Sequence, residues 1–144
     1  TINHTRYVLA EGRRDAPAWQ IYRMLTYLLD AGYIPVLAHP ERYRCVQRIP
    51  GHVKEWAAMG AVLQLDKGSI FGRFGEGAAD AAAYMLDRQL ASLAATDAHR
   101  ADVRTLSLAP LRDLLARQYG SACPELLLRE NPRRILKGQE VIRF

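Results

Sequence analysis

Four apolar runs of strand length, each followed by a stretch with helical periodicity, constrain this chain more than any other feature. The runs fall at residues 6–11, 34–38, 61–65 and 93–96. Such alternation is the mark of an α/β fold with a mainly parallel sheet. After the first run, Asp15-Ala-Pro17 places a capping residue and a first-turn proline before Trp19, Ile21, Tyr22, Leu25, Leu28 and Leu29. Those residues repeat at helical spacing up to Gly32. Further helices are expected over 53–59, 78–90 and 106–119, with a short closing one over 130–137. Gly68, Gly72, Gly75 and Gly77 mark a strand-to-helix loop, and Trp19, Tyr22 and Trp56, set among aliphatics, are expected in the core. No repeat or linker divides the sequence, so residues 1–144 form one domain or one piece of one.

Composition narrows the function classes. The 144 residues are 49% hydrophobic and 24% charged, enough to bury a real core. The net charge is +5, but the 20 basic residues are scattered, with Arg13-Arg14 and Arg133-Arg134 the densest pairs. A nucleic-acid footprint requires clustering on one face, so no nucleic-acid partner is expected. Cys45 and Cys123 stand far apart without a CxxC, which fits a reducing cytoplasm and no disulfide framework. No apolar run approaches the roughly 18 residues that span a membrane.

In parallel α/β folds, ligands bind at the carboxyl ends of strands, where the loops converge. Glu11, His39, Asp66 and Asp97 all fall at those ends, and four coincidences in four strands argue for a site. Asp97-Ala-His99 sets a carboxylate and an imidazole two residues apart; if the backbone there is extended, both reach adjacent metals or opposite sides of one ion. That donor pair suits manganese, zinc or iron better than calcium. The alternative is Asp97 capping the next helix with His99 in solvent. His39-Pro-Glu-Arg42 adds a second imidazole, with Pro40 biasing His39 toward an extended backbone. Arg42 and Arg104 stand where guanidinium forks can meet phosphate oxygens, although Glu41 is also a ready surface partner for Arg42.

Other phosphate chemistries fail on their motifs. Cys123 and Arg129 have the spacing of a cysteine phosphatase, but the Pro-Glu-Leu-Leu-Leu between them lacks glycine and reads as an apolar helix. No GxxxxGK[ST], HExxH or GxSxG occurs. His4 and His52 lack strand-end placement and are read as surface or structural.

At this point the chain resembles the bacterial manganese-dependent protein-tyrosine phosphatases of the polymerase-and-histidinol-phosphatase (PHP) superfamily, linked to capsule and exopolysaccharide synthesis. The likeness runs through Tyr7-Val-Leu-Ala-Glu11, Gly32-Tyr-Ile-Pro-Val-Leu-Ala-His-Pro-Glu-Arg-Tyr43, Leu63-Gln-Leu65, Gly72-Arg-Phe-Gly75, Ala95-Thr-Asp-Ala-His99 and Glu130-Asn-Pro132. It implies the last four β/α units of a distorted seven-stranded TIM-like barrel, with several metals, manganese or else zinc or iron, at its mouth. Glu11, His39, Asp97 and His99 then resemble metal ligands, and Arg42 and Arg104 resemble the contacts to substrate phosphate. Glu41 and Asp66 receive no role. The family's opening HxH strand does not appear before Glu11, so the resemblance implies a barrel lacking its first three strands. Four strands alone would leave open edges, and self-association is expected. The implied substrate is a phosphotyrosine protein, in particular a bacterial tyrosine kinase. A phosphoesterase of small metabolites and a non-catalytic metal-binding remnant are the alternatives.

Overall fold

A computed structural model describes residues 1–98 and 107–143. Strands β1 (Tyr7–Ala10), β2 (Ile34–Ala38), β3 (Val62–Asp66) and β4 (Leu93–Ala95) form one parallel sheet in the order β1-β2-β3-β4. Leu9 lies opposite Val36, Val36 opposite Val62 and Leu65 opposite Ala94. Each crossover therefore steps to the next strand in the same direction. Sequential stepping with crossovers of constant hand stacks the helices on one face, as in β/α barrels.

The connecting helices are α1 (Ala18–Asp30), α2 (Arg44–Arg48), α3 (His52–Met59), a short α4 (Lys67–Ile70) and α5 (Glu76–Asp87). After the undescribed segment come α6 (Ala109–Tyr119), α7 (Ala122–Glu125), a π-helical turn Leu126–Glu130 and α8 (Asn131–Leu136). On the helical face, Leu37, Leu63, Leu65 and Ala94 of the sheet pack with Ile21, Leu25, Trp56, Met85, Leu111, Leu115 and Leu127. Alternation along the strands sends Tyr7, Val36, Val62 and Leu93 to the other face, where they meet Ile135 of α8 together with Ile2 and Val141. Leu9 lies on that same face and is 57% exposed.

Several local expectations change. Asp15 does not cap α1: it pairs with Arg13, and Pro17 holds the cap position without a side-chain hydrogen bond. The buried stripe of α1 is Ile21 and Leu25, one turn apart, which turns Trp19 and Tyr22 toward solvent. Trp56 is buried as expected. The glycine-rich loop is shorter than expected: Gly68 lies in α4 and Gly77 in α5, while Gly72 and Gly75 stay in the turn between the two helices. Gly60 ends α3 at φ 115°, a left-handed C-cap that favours glycine.

The C-terminal tail closes the second face through one buried side chain. Asn131 Nδ2 donates to the carbonyls of Ser92 and Ile142, each at 2.9 Å, while its Oδ1 accepts from the Ile142 N–H at 2.7 Å. The Tyr7 hydroxyl donates to the Gln139 carbonyl at 2.8 Å. Replacing Asn131 by Ala strands three backbone groups, one just before β4 and two in the tail. We expect Asn131→Ala to lower unfolding free energy by about 2–4 kcal/mol, read as a fall in urea midpoint at unchanged slope.

Candidate metal and phosphate site

The carboxyl ends of the four strands carry Glu11, His39, Asp66 and Asp97 to one edge of the sheet. Glu11 follows β1, His39 follows β2, Asp66 ends β3, and Asp97 lies two residues beyond β4. His39 Nε2 is 3.1 Å from Glu11 Oε1 and 3.9 Å from Asp97 Oδ2. His39 is buried, Asp97 mostly so, and the Glu11 side chain is largely exposed. Burial first, and then the Arg42 guanidinium, hold the His39 imidazole below its ordinary pKa. It is therefore neutral at neutral pH, the form that ligates metals.

The backbone at two of these positions departs from expectation. His39 has φ 36° and ψ 53°, in the left-handed region, and not the extended conformation that Pro40 predicts. Asp97 is likewise left-handed at φ 46°, so the chain is not extended between Asp97 and Ala98. Non-glycine residues held there cost on the order of 1–3 kcal/mol each, and such strain clusters at functional sites. In these conformations His39 Nε2 and Asp97 Oδ2 come within 3.9 Å of each other.

Arg42 lies in the 3-10 turn Pro40–Arg42 and is buried. Its Nη1 donates to Asp97 Oδ2 at 2.9 Å and to Asp66 Oδ2 at 3.1 Å. The face of its guanidinium lies 4.2 Å from the centroid of the Phe74 ring, a cation–π contact. The partners of Arg42 are thus Asp66 and Asp97, while Glu41 is turned inward. Glu41 Oε1 accepts from the Asp66 N–H at 2.9 Å, and Asp66 Oδ1 accepts from the Gly68 N–H at 2.7 Å, which caps α4.

Further residues join the site without a signal in the sequence pattern. Tyr43 is buried; its hydroxyl donates to the Ala38 carbonyl at 3.0 Å and accepts from the Gly12 N–H at 2.9 Å. It ties the residue after Glu11 to the residue before His39. Gly12 leaves room for the Ile21 side chain, whose terminal methyl a Cβ there would displace. Lys67 Nζ donates to the Ser107 carbonyl at 2.6 Å. His99 and Arg104 lie outside the described residues.

A family model described as capsular polysaccharide synthesis, CpsB/CapC, matches residues 1–137. The chain belongs to the CpsB/CapC family. Tyrosine-protein phosphatase CpsB of Streptococcus pneumoniae is 32% identical over 144 residues, covering 96% of this chain and 59% of that protein. Tyrosine-protein phosphatase YwqE of Bacillus subtilis is 30% identical over 143 residues, covering 99% and 56%. A chain from the crystal structures of YwqE from Bacillus subtilis and CpsB from Streptococcus pneumoniae, reported as unique metal-dependent tyrosine phosphatases, matches with a TM-score of 0.88. That match, at 30% identity, covers 99% of this chain and 57% of the other. The chain thus spans between 56 and 59% of the length of these relatives.

The donor types in this CpsB/CapC chain suit a divalent metal, although they are not gathered into a finished cage. The His39 imidazole approaches the carboxylates of Glu11 and Asp97 in turn, and nitrogen–oxygen donors of this kind are ones that manganese, zinc and iron accept. Among the described residues, no group of three or more such side chains stands ready as a cage. His39 Nδ1 is buried and has no hydrogen-bond partner among the described residues.

Beneath this set, Glu41 is fully buried, and burial raises its pKa from 4.5 to about 7. The fold therefore favours its neutral form. Stability from that preference is complete below about pH 4.5, falls as pH rises, and levels off above about 7. In metal-free protein, Glu41→Gln keeps the acceptor for the Asp66 N–H but cannot ionise. We expect the stability of Glu41→Gln relative to wild type to rise by roughly 3 kcal/mol across that window. Urea unfolding of both proteins in chelator checks this; a difference that does not vary with pH would contradict it.

Proposed function

We propose that this chain carries the metal and phosphate contacts of a metal-dependent protein-tyrosine phosphatase that acts in control of capsular or exopolysaccharide synthesis. The observation that carries the reading is the neutral His39 Nε2 facing Glu11 and Asp97, beside the buried Arg42, in a chain of the CpsB/CapC family. Glu11, His39, Asp97 and His99 would hold manganese, or else zinc or iron. When bound, such ions lower the pKa of coordinated water from about 15.7 toward roughly 7 and act as Lewis acids toward phosphoryl oxygens.

The chain's own residues supply position and charge. Asp66 and Asp97 hold Arg42 through Nη1 alone; among the described residues its Nε and Nη2 make no hydrogen bond. In this reading those donors would fork onto phosphoryl oxygens, and Arg104 would supply a second guanidinium. A tyrosine phenolate, with a pKa of about 10, departs without a strong general acid, and no residue is given that role. Two free cysteines fit a reducing cytoplasm, and no described helix is long and apolar enough to cross a membrane. The substrate class is a phosphotyrosine protein, in particular a bacterial tyrosine kinase.

The four β/α units read best as the later part of a seven-stranded barrel. Their sequential parallel order is the winding such a barrel needs, and the exposed Leu9 stands on the face that a closed barrel would bury.

Asp97→Ala is expected to lower kcat/KM on a phosphotyrosine peptide, assayed with manganese, by about 1000-fold or more. Arg42→Lys, which keeps a charge between the carboxylates but loses the fork, should raise KM about tenfold. Normal turnover by Asp97→Ala would sink the reading. Preference for histidinol phosphate over the peptide would move the activity to small metabolites.

A further inference from the structure

A cleft of about 400 Å³ opens beside the candidate site, with Arg14, Asp15, Arg42, Arg44, Gln47 and Phe74 in its lining. Arg42 belongs to both: its Nη1 is fixed by Asp66 and Asp97, its guanidinium stacks on Phe74, and both residues line the cleft. The cleft therefore begins where the phosphoryl group of a bound substrate would end.

Its charge is lopsided. Arg14 and Arg44 are exposed, and among the described residues neither guanidinium has a hydrogen-bond or ion-pair partner. The two residues are nonetheless fixed relative to each other, because the Arg44 N–H donates to the Arg14 carbonyl at 2.8 Å. The acid in the lining, Asp15, is already engaged: Arg13 Nε and Nη2 donate to its two oxygens at 3.2 and 3.1 Å. Arg13, with a smaller push from Arg44, holds the Asp15 carboxyl below its ordinary range. The cleft thus presents two uncommitted guanidinium forks and no uncommitted carboxylate among its described lining residues.

We infer that this cleft receives acidic side chains flanking the phosphotyrosine of the substrate polypeptide, with Arg14 and Arg44 as residues that determine specificity. The inference rests on the phosphatase reading. An extended polypeptide advances about 3.3 Å per residue, so neighbours one to three positions from the phosphotyrosine fall within the span of such a cleft. Planar guanidinium forks match carboxylates in geometry as well as charge. A nucleic-acid strand would need a basic track longer than two residues.

The test uses the whole chain with manganese and fluorescence anisotropy at physiological salt. Three labelled peptides are compared: phosphotyrosine flanked by glutamates, phosphotyrosine flanked by glutamines, and unphosphorylated tyrosine flanked by glutamates. Wild type is expected to bind the first about tenfold more tightly than the second. The double variant Arg14→Gln/Arg44→Gln should reduce that ratio to within about twofold, while Arg14→Lys/Arg44→Lys retains most of it. Turnover of para-nitrophenyl phosphate, which has no flanks, should be the same in all three proteins. Equal affinity of wild type for the first two peptides would overturn the inference, as would a glutamate preference that survives in the double glutamine variant. Polyphosphate competing as strongly as the acidic peptide would also overturn it. A glutamate preference with no gain from phosphorylation would leave the acidic-peptide cleft standing and defeat the phosphatase reading instead.

Discussion

The guanidinium of Arg42, held between Asp66 and Asp97, is the contact on which the arrangement of the site depends. Asp66 belongs to β3 and Asp97 to the loop beyond β4, while Arg42 comes from the turn after β2. One side chain therefore fixes the relative positions of three strand ends. A buried charge is tolerated only when paired and hydrogen-bonded, and here two carboxylates share one cation.

A second tie works at the other side of His39. Tyr43 bridges the Ala38 carbonyl and the Gly12 N–H, so the end of β1 is registered against the end of β2 through a neutral hydroxyl. Burial raises the Tyr43 pKa, which keeps that hydroxyl protonated at all working pH values. Glu41, Arg42 and Tyr43 thus act in sequence on β3, β4 and β1, all from the short stretch that follows β2.

Legibility from sequence followed the physics of periodicity. Alternation of apolar runs and helical stretches located four strands within a residue or two, and the parallel sheet followed from their order. The gathering of Glu11, His39 and Asp97 was legible because strand ends share an edge. The backbone at His39 and Asp97 was not: Pro40 disfavours helical conformations in the preceding residue, and only tertiary contacts override that bias. Trp19 and Tyr22 misled because hydrophobic spacing marks a helix without saying which of two adjacent stripes the sheet will cover. Asp66 and Glu41 carried no role in the sequence because a carboxylate at a strand end reads the same as ligand, cap or counter-ion; only the contacts to Arg42 and to the Asp66 N–H distinguish them.

The left-handed conformations of His39 and Asp97 set selection for function against selection for stability. Glycine adopts such φ values without strain, so at both positions the residue that suits the backbone best has no side chain to offer a ligand. Mutational drift judged by thermal stability alone would therefore tend to erase these two residues early, while the core and the C-terminal closure persisted. A lineage that kept the fold but lost the chemistry would be expected to show glycine or asparagine at positions 39 and 97.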